Sequence, residues 1–131
     1  MEDSICLDTD ILIDLLRNNS ETISWIKENK DNFKLVTTIV NAFELFAGAY
    51  KAVNIERKLK DIKELIEKLE ILNISLGVAE EAGRQKAVLE EKGISLEIRD
   101  LLIGSIALSN NLPLKTNNKK HFERIEGLKL A

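Results

Sequence analysis

The sequence predicts a parallel-sheet α/β domain, and three observations carry that prediction. Compact apolar or β-branched runs alternate with helical stretches along the whole chain. One stretch, Ile55 to Leu69, repeats apolar residues at clean helical spacing. The 131 residues, 44% apolar and 31% charged, suit one globular domain spanning 1–131 with a real core.

The elements follow in order. Ser4 to Leu7 reads as a strand by its compact apolar run. A short helix is expected from Asp10 to about Arg17, and a second from Ser20, a good N-cap, to about Lys30. Leu35-Val36-Thr37-Thr38 is the second strand, followed by a helix from Asn41 to Tyr50. In the next helix Ile55, Leu59, Ile62, Ile66 and Leu69 share one face, and the Lys, Glu, Arg and Asp between them form a solvated one. Glu70 to Ser75 gives a third strand. A helix rich in small residues (Ala79, Ala82, Gly83, Ala87) runs to about Lys92 and closes at Gly93; it invites close packing by another helix, within the chain or across a dimer. Glu97 to Ala107 is apolar almost all round and predicts a buried helix. Leu112 to Thr116 reads as a strand, Lys119 to Phe122 as a helical turn and Leu128 to Leu130 as a short final strand.

Several function classes are excluded or narrowed. No apolar run approaches the length of a membrane span. The acidic start Met1-Glu2-Asp3-Ser4 predicts no secretory signal peptide, and the single Cys6, in an apolar run, suits a reducing cytoplasm. A net charge of −3 argues against strong nonspecific attraction to nucleic acid, though lysines gathered on one face or a metal ion could still meet phosphate. No Gly-rich phosphate loop or dinucleotide fingerprint occurs.

Three acids stand where a core-building sequence does not place charge. Asp8 ends Ile5-Cys6-Leu7, Glu44 interrupts Ala42-Phe43-Glu44-Leu45-Phe46, and Asp100 precedes Leu101-Leu102-Ile103. Buried charges require partners or a metal. In a parallel sheet, ligands bind beyond the carboxyl ends of the strands. Asp8 and Thr116 each follow a strand, Asp100 lies in the first turn of its helix, and Glu44 lies one turn into another, so all four can converge there. Each acid also has a local reading: Asp8 as a helix cap, Asp100 as a residue favoured by the helix dipole. Glu44 resists one, because Val40 and Gly48 occupy its i±4 positions. Asp10 reads as a helix start and Asp14 as a solvated or supporting residue. An all-oxygen cluster suits a hard cation such as Mg²⁺ or Mn²⁺ and points to hydrolysis of phosphodiesters. His121 is the only histidine and reads as structural, and Cys6 lacks a nearby base, so histidine-based zinc sites and nucleophile triads lack material.

These residues also resemble a known family. Leu7-Asp8-Thr9-Asp10-Ile11-Leu12-Ile13-Asp14 resembles the opening motif of PIN-domain ribonucleases. Glu44-Leu45-Phe46-Ala47-Gly48-Ala49 is similar to their second motif and Arg99-Asp100-Leu101-Leu102-Ile103-Gly104-Ser105-Ile106-Ala107 to the third. Leu114-Lys115-Thr116-Asn117-Asn118-Lys119-Lys120-His121-Phe122 resembles the fourth, with its closing aromatic. The likeness covers nearly the whole chain and is nearest to the VapC toxins of toxin–antitoxin modules. It implies a three-layer α/β/α sandwich around a central parallel sheet and a Mg²⁺- or Mn²⁺-dependent endoribonuclease. It further implies a homodimer neutralised by a small antitoxin. By the same likeness Asp8, Glu44 and Asp100 are catalytic metal ligands, with Thr9 and Thr116 as supporting hydroxyls. The fourth acidic position of the family, often Asp, is Asn118 here, which keeps an oxygen but supplies no charge, so a second ion should bind weakly. Arg99, Lys115, Lys119 and Lys120 would border the pocket as RNA phosphate contacts, or stand as ordinary surface cations.

Two other readings compete. A noncatalytic interaction module would keep the fold without the chemistry, against which all three acids are retained. Asp8-Thr9-Asp10 also resembles the nucleophile motif of haloacid-dehalogenase-like phosphatases, but Arg99-Asp100-Leu101 lacks the paired acids that family needs.

Overall fold

The computed structural model describes residues 3–131. Met1 and Glu2, on which the acidic-start expectation partly rests, lie outside the described residues. Four parallel strands form the sheet in the order β3-β2-β1-β4: β1 (Asp3–Leu7), β2 (Phe33–Thr38), β3 (Glu70–Leu72) and β4 (Leu114–Lys115). Between and after them run α1 (Thr9–Leu16), α2 (Ser20–Asn29), α3 (Ile39–Tyr50), α4 (Ile55–Glu67), α5 (Leu76–Glu91), α6 (Ile98–Ser109) and α7 (Lys119–Phe122).

Strand alternation sorts the core into two layers. Successive residues of a strand point to opposite faces. Ile5 and Leu7 accordingly pack with Ile11, Leu12, Leu45, Ala49 and Ile62 from α1, α3 and α4. Cys6 points the other way, with Val36 and Leu114, against Val78, Ile103, Ile106 and Phe122 from α5, α6 and α7. Helices cover both faces, which is the three-layer sandwich expected from the sequence. In α4, Leu59, Ile62 and Ile66 pack as the periodicity predicts, and Leu69 packs with them just past the helix, which ends at Glu67 instead of Leu69; Ile55 is exposed at the helix start. α5 does pack on α6, but of its small residues only Ala82 is buried there, with Leu89 and Leu101; Ala79, Gly83 and Ala87 are exposed. Gly104 opens α6 on its other side, where any Cβ would run into the Ile125 side chain.

Helix ends show why the chain turns where it does. Gly93, at φ +72°, ends α5, and the Ile94 and Gly93 amides donate back to the Leu89 and Glu90 carbonyls. Asn18 and Asn111 take the same left-handed position after α1 and α6, a role that asparagine tolerates.

Some expected boundaries shift. The third strand stops at Leu72 instead of Ser75, because the Ser75 hydroxyl is used to cap α5 through the Val78 amide. β4 is reduced from Leu112–Thr116 to two residues, since Pro113 has no amide to donate and Thr116 turns into the site. The final strand is a single bridge, Leu114 to Leu130, too short to be more. α3 begins at Ile39, two residues before the expected Asn41, because Thr38 and Asn41 form a reciprocal cap.

Candidate active site

In the strand order β3-β2-β1-β4 the chain leaves β1 toward β2 on one side and returns as β4 on the other. A crevice opens at the carboxyl ends where that direction reverses. Asp8 follows β1 there. It is almost fully covered, at 5% exposure, yet its carboxylate is well supplied with donors. Oδ1 accepts from the Thr9 amide at 2.8 Å, capping α1, and from Asn41 Nδ2 at 3.1 Å. Oδ2 accepts from Thr116 Oγ1, just past β4, at 2.7 Å. The cap and the site residue are the same side chain, so the local reading of Asp8 and the functional one hold together.

Asn41 organises the rest. Its Nδ2 also donates to Thr9 Oγ1 at 2.9 Å, and Thr9 Oγ1 donates in turn to Glu44 Oε1 at 2.9 Å. Its Oδ1 accepts from the Thr38 hydroxyl at 2.7 Å and the Thr38 amide at 3.2 Å. The sequence reading missed Asn41. A buried amide breaking the apolar run Ile39-Val40-Asn41-Ala42-Phe43 was the available signal.

A cleft of about 240 Å³ gathers Asp8, Thr9, Glu44, Asp100 and Asn118, together with Asp10, Glu97, Arg99 and His121. Three expectations need adjusting. Asp10 does more than start a helix: Oδ1 accepts from the Ile11 amide and Oδ2 from the Asn117 amide, both at 2.8 Å, pinning the loop after β4. Glu44, which lacked a partner along its own helix, has one across the cleft: Arg99 Nη1 lies 3.0 Å from its Oε2. His121, expected to be structural, lines the cleft, with Nδ1 3.5 Å from Asp100 Oδ2. Asp14 does not line the cleft; its Oδ2 accepts from Thr22 Oγ1 at 3.0 Å and from Asn117 Nδ2 at 3.5 Å. Of the four proposed phosphate contacts, only Arg99 lines the cleft. Lys115 stacks over the Trp25 ring, 4.7 Å from its centroid, while Lys119 and Lys120 are exposed on α7.

The acids crowd one another. Burial, and then the Asp8 charge, push the Asp100 carboxyl above the usual carboxylate range, against the opposing pull of Arg99. Glu44 is raised by burial and by Asp8 and Asp100, and lowered by its Thr9 bond and by Arg99. Asp10 is raised by burial and by the charges of Asp8 and Asp14. Cys6 is pushed up to about 12 by burial and the nearby Asp8 charge, so its thiol has no nucleophilic role. Crowded oxygen donors of one sign suit a hard divalent cation, which would relieve their repulsion. Among the described residues, however, no three acidic or histidine side chains already stand at metal-ligand spacing. Both Glu44 oxygens are committed, one to Thr9 and one to Arg99.

Residues 5–128 match the PIN domain family. The chain is 32% identical over 124 residues to the tRNA(fMet)-specific endonuclease VapC of Salmonella typhimurium, covering 95% of this chain and 93% of that one. It superimposes on a chain of VapBC2 from Rickettsia felis bound to a fragment of promoter DNA, with a TM-score of 0.91, 27% identity and coverage of 97% and 96%. DNA-bound VapBC from Salmonella typhimurium gives a TM-score of 0.90 at 28% identity, with coverage of 98% and 97%. PIN-domain VapC ribonucleases generally depend on a divalent metal, and the crowded carboxylates have the donor chemistry to hold one. By family match, by identity to curated relatives along nearly the whole length and by fold, this chain belongs to the PIN-domain family, among the VapC ribonucleases.

Proposed function

We propose that Asp8, Glu44 and Asp100 hold a divalent cation, Mg²⁺ or Mn²⁺, and that this cleft hydrolyses phosphodiester bonds within RNA as the toxin of a toxin–antitoxin module. The observation that carries the reading is the covered Asp8 carboxylate, fixed by Thr9, Asn41 and Thr116 beside two further acids whose proton affinity is raised. Bound there, a divalent cation supplies Lewis acidity for the hydrolysis.

The chain's own residues do the positioning. Thr116 and Asn41 hold the two Asp8 oxygens in one orientation, and Thr9 fixes one oxygen of Glu44. Arg99 offers a planar guanidinium suited to a phosphodiester, with Lys119 and Lys120 on the outer rim. Asn118 lines the cleft with a neutral amide where a charge would strengthen a second ion. Residues 1–131 act as one PIN-like unit.

A small antitoxin is the proposed partner, supported by structural relatives that are VapBC complexes. A homodimer belongs to the same reading. A cytoplasmic setting is proposed from the free buried thiol of Cys6. Among the described residues no helix is long and apolar enough to cross a membrane.

The test is cleavage of varied RNAs with Mg²⁺ or Mn²⁺. Asp8→Asn and Asp100→Asn should each lower it on the order of 100-fold or more. Variants that cleave like the parent would sink the assignment. Asn118→Asp should raise metal affinity several-fold in a calorimetric titration, and an unchanged titration would remove Asn118 from the site. Co-purification with the product of a neighbouring reading frame tests the antitoxin, and light scattering tests the dimer. One observation favours a second reading, a noncatalytic RNA-binding module: Glu44 is clamped by Arg99. No cleavage of any RNA in excess Mn²⁺ would decide for it. The family match over residues 5–128 displaces the phosphatase reading.

A further inference from the structure

We infer that Arg99 is a built-in competitor of the divalent cation for Glu44, holding that carboxylate aside until a cation or a phosphodiester separates the pair. The inference rests on the metal-binding reading of the cleft and explains why its acids line one space without standing at ligand spacing.

The two oxygens of Glu44 are divided between neighbours. Oε1 is held by the Thr9 hydroxyl at 2.9 Å and Oε2 by Arg99 Nη1 at 3.0 Å. The Glu44 side chain is largely covered, at 16% exposure, while that of Arg99 is 52% exposed. A cation anchored at the mouth thus reaches in to an acid below it. On the outer side Arg99 Nη2 meets Glu97 Oε2 at 2.8 Å, so the guanidinium bridges an inner acid and an outer one. Arg99 also sits in the first turn of α6, where the helix dipole disfavours a positive charge. Its placement therefore depends on the two glutamates, not on the helix that carries it.

A carboxylate cannot direct the same lone pairs at a guanidinium and at a metal ion. Drawing Glu44 onto a cation releases Arg99, which then offers its fork to a phosphodiester. Conversely, a phosphodiester that captures Arg99 frees Glu44. Cation and RNA are thereby coupled, and the coupling is reciprocal: each tightens the other by the same factor.

The experiment is calorimetric titration of Mn²⁺, without RNA, into the parent, Arg99→Gln, Glu44→Gln and the double variant. Arg99→Gln should bind Mn²⁺ roughly 5-fold tighter or more. In the Glu44→Gln background the same change should alter affinity less than about 2-fold, because the competition acts through Glu44. Equal tightening in both backgrounds overturns the inference and leaves only a general loss of positive charge. No tightening in either overturns it as well, while the metal site stands. Mn²⁺ that binds none of the four proteins overturns the metal site itself, and the inference with it.

Discussion

Two polar clusters are anchored one helical turn apart on α3, the first reaching back into the end of β2, and they are built on opposite rules. At its start Thr37, Thr38 and Asn41 are fully covered, neutral and bonded: Thr37 Oγ1 donates to the Leu7 carbonyl at 2.7 Å, and Thr38 and Asn41 cap each other. One turn on, Glu44 faces Asp8 and Asp100 in a group of crowded acids that Arg99 only partly offsets, with Glu44 and Asp100 shifted toward holding protons. The first cluster costs little to bury because its partners are complete. The second costs stability because its charges repel and are partly desolvated. Asn41 belongs to both, since one amide nitrogen serves Asp8 and Thr9 while its oxygen serves Thr38. The neutral cluster thus fixes the geometry that the charged cluster uses.

Substitutions should separate the two. The largest effect on stability is expected from Asn41→Leu, which removes a donor from Asp8, a donor from Thr9 and the acceptor of Thr38. About 3 kcal/mol should be lost, or roughly 10 °C in Tm. A drop under about 1 kcal/mol would mean that water replaces the amide. Asp100→Asn should have the opposite sign. Its raised proton affinity means that the folded state binds the proton more tightly than the unfolded state, so the charged form costs stability above the folded value. That cost is relieved as pH falls through the folded value. At neutral pH Asp100→Asn should therefore raise stability, and Tm with it, by no more than about 1 kcal/mol given solvent screening at the cleft. The difference from the parent should vanish in acid below the usual carboxylate range. A Tm that falls at neutral pH would contradict the repulsion. The smallest effect is expected in α6, where Ser105 Oγ is buried and, among the described residues, is the one buried side-chain polar atom without a partner. Ser105→Ala should stabilise by about 0.5 kcal/mol, and a lower Tm would show that the hydroxyl is bonded.

Much of this was legible in the sequence. The order of strands and helices follows from runs and periodicities that are local, and Asp8, Glu44 and Asp100 announced themselves as charge inside apolar stretches. The strands β3 and β4 shrank because Ser75 and Thr116 serve a cap and a site instead of a ladder. Asn41 escapes because a neutral amide makes no chemical demand that draws notice, although it interrupts the apolar run as plainly as Glu44 does. The pairs Arg99 with Glu44 and Asn117 with Asp10 are invisible to local patterns, since the latter spans 107 residues. Lys115 is a candidate phosphate contact by its charge and its place in the fourth motif. Its neighbours Leu114 and Thr116 give no hint that Trp25, 90 positions earlier, takes it.

The hydrogen bond from Thr116 to Asp8 joins residues 108 positions apart, in the first strand's wake and the last strand's. Protein synthesis proceeds in one direction, and long-range pairing waits for both partners. A growing or prematurely ended chain carries Asp8 and Glu44 well before it carries β4, and Asp100 shortly before it. It lacks both the neighbour that flanks β1 and the hydroxyl that fixes the first acid. A nuclease ordered in this way comes together only once Thr116 has been made, so fragments that stop short of it hold the acids without the arrangement.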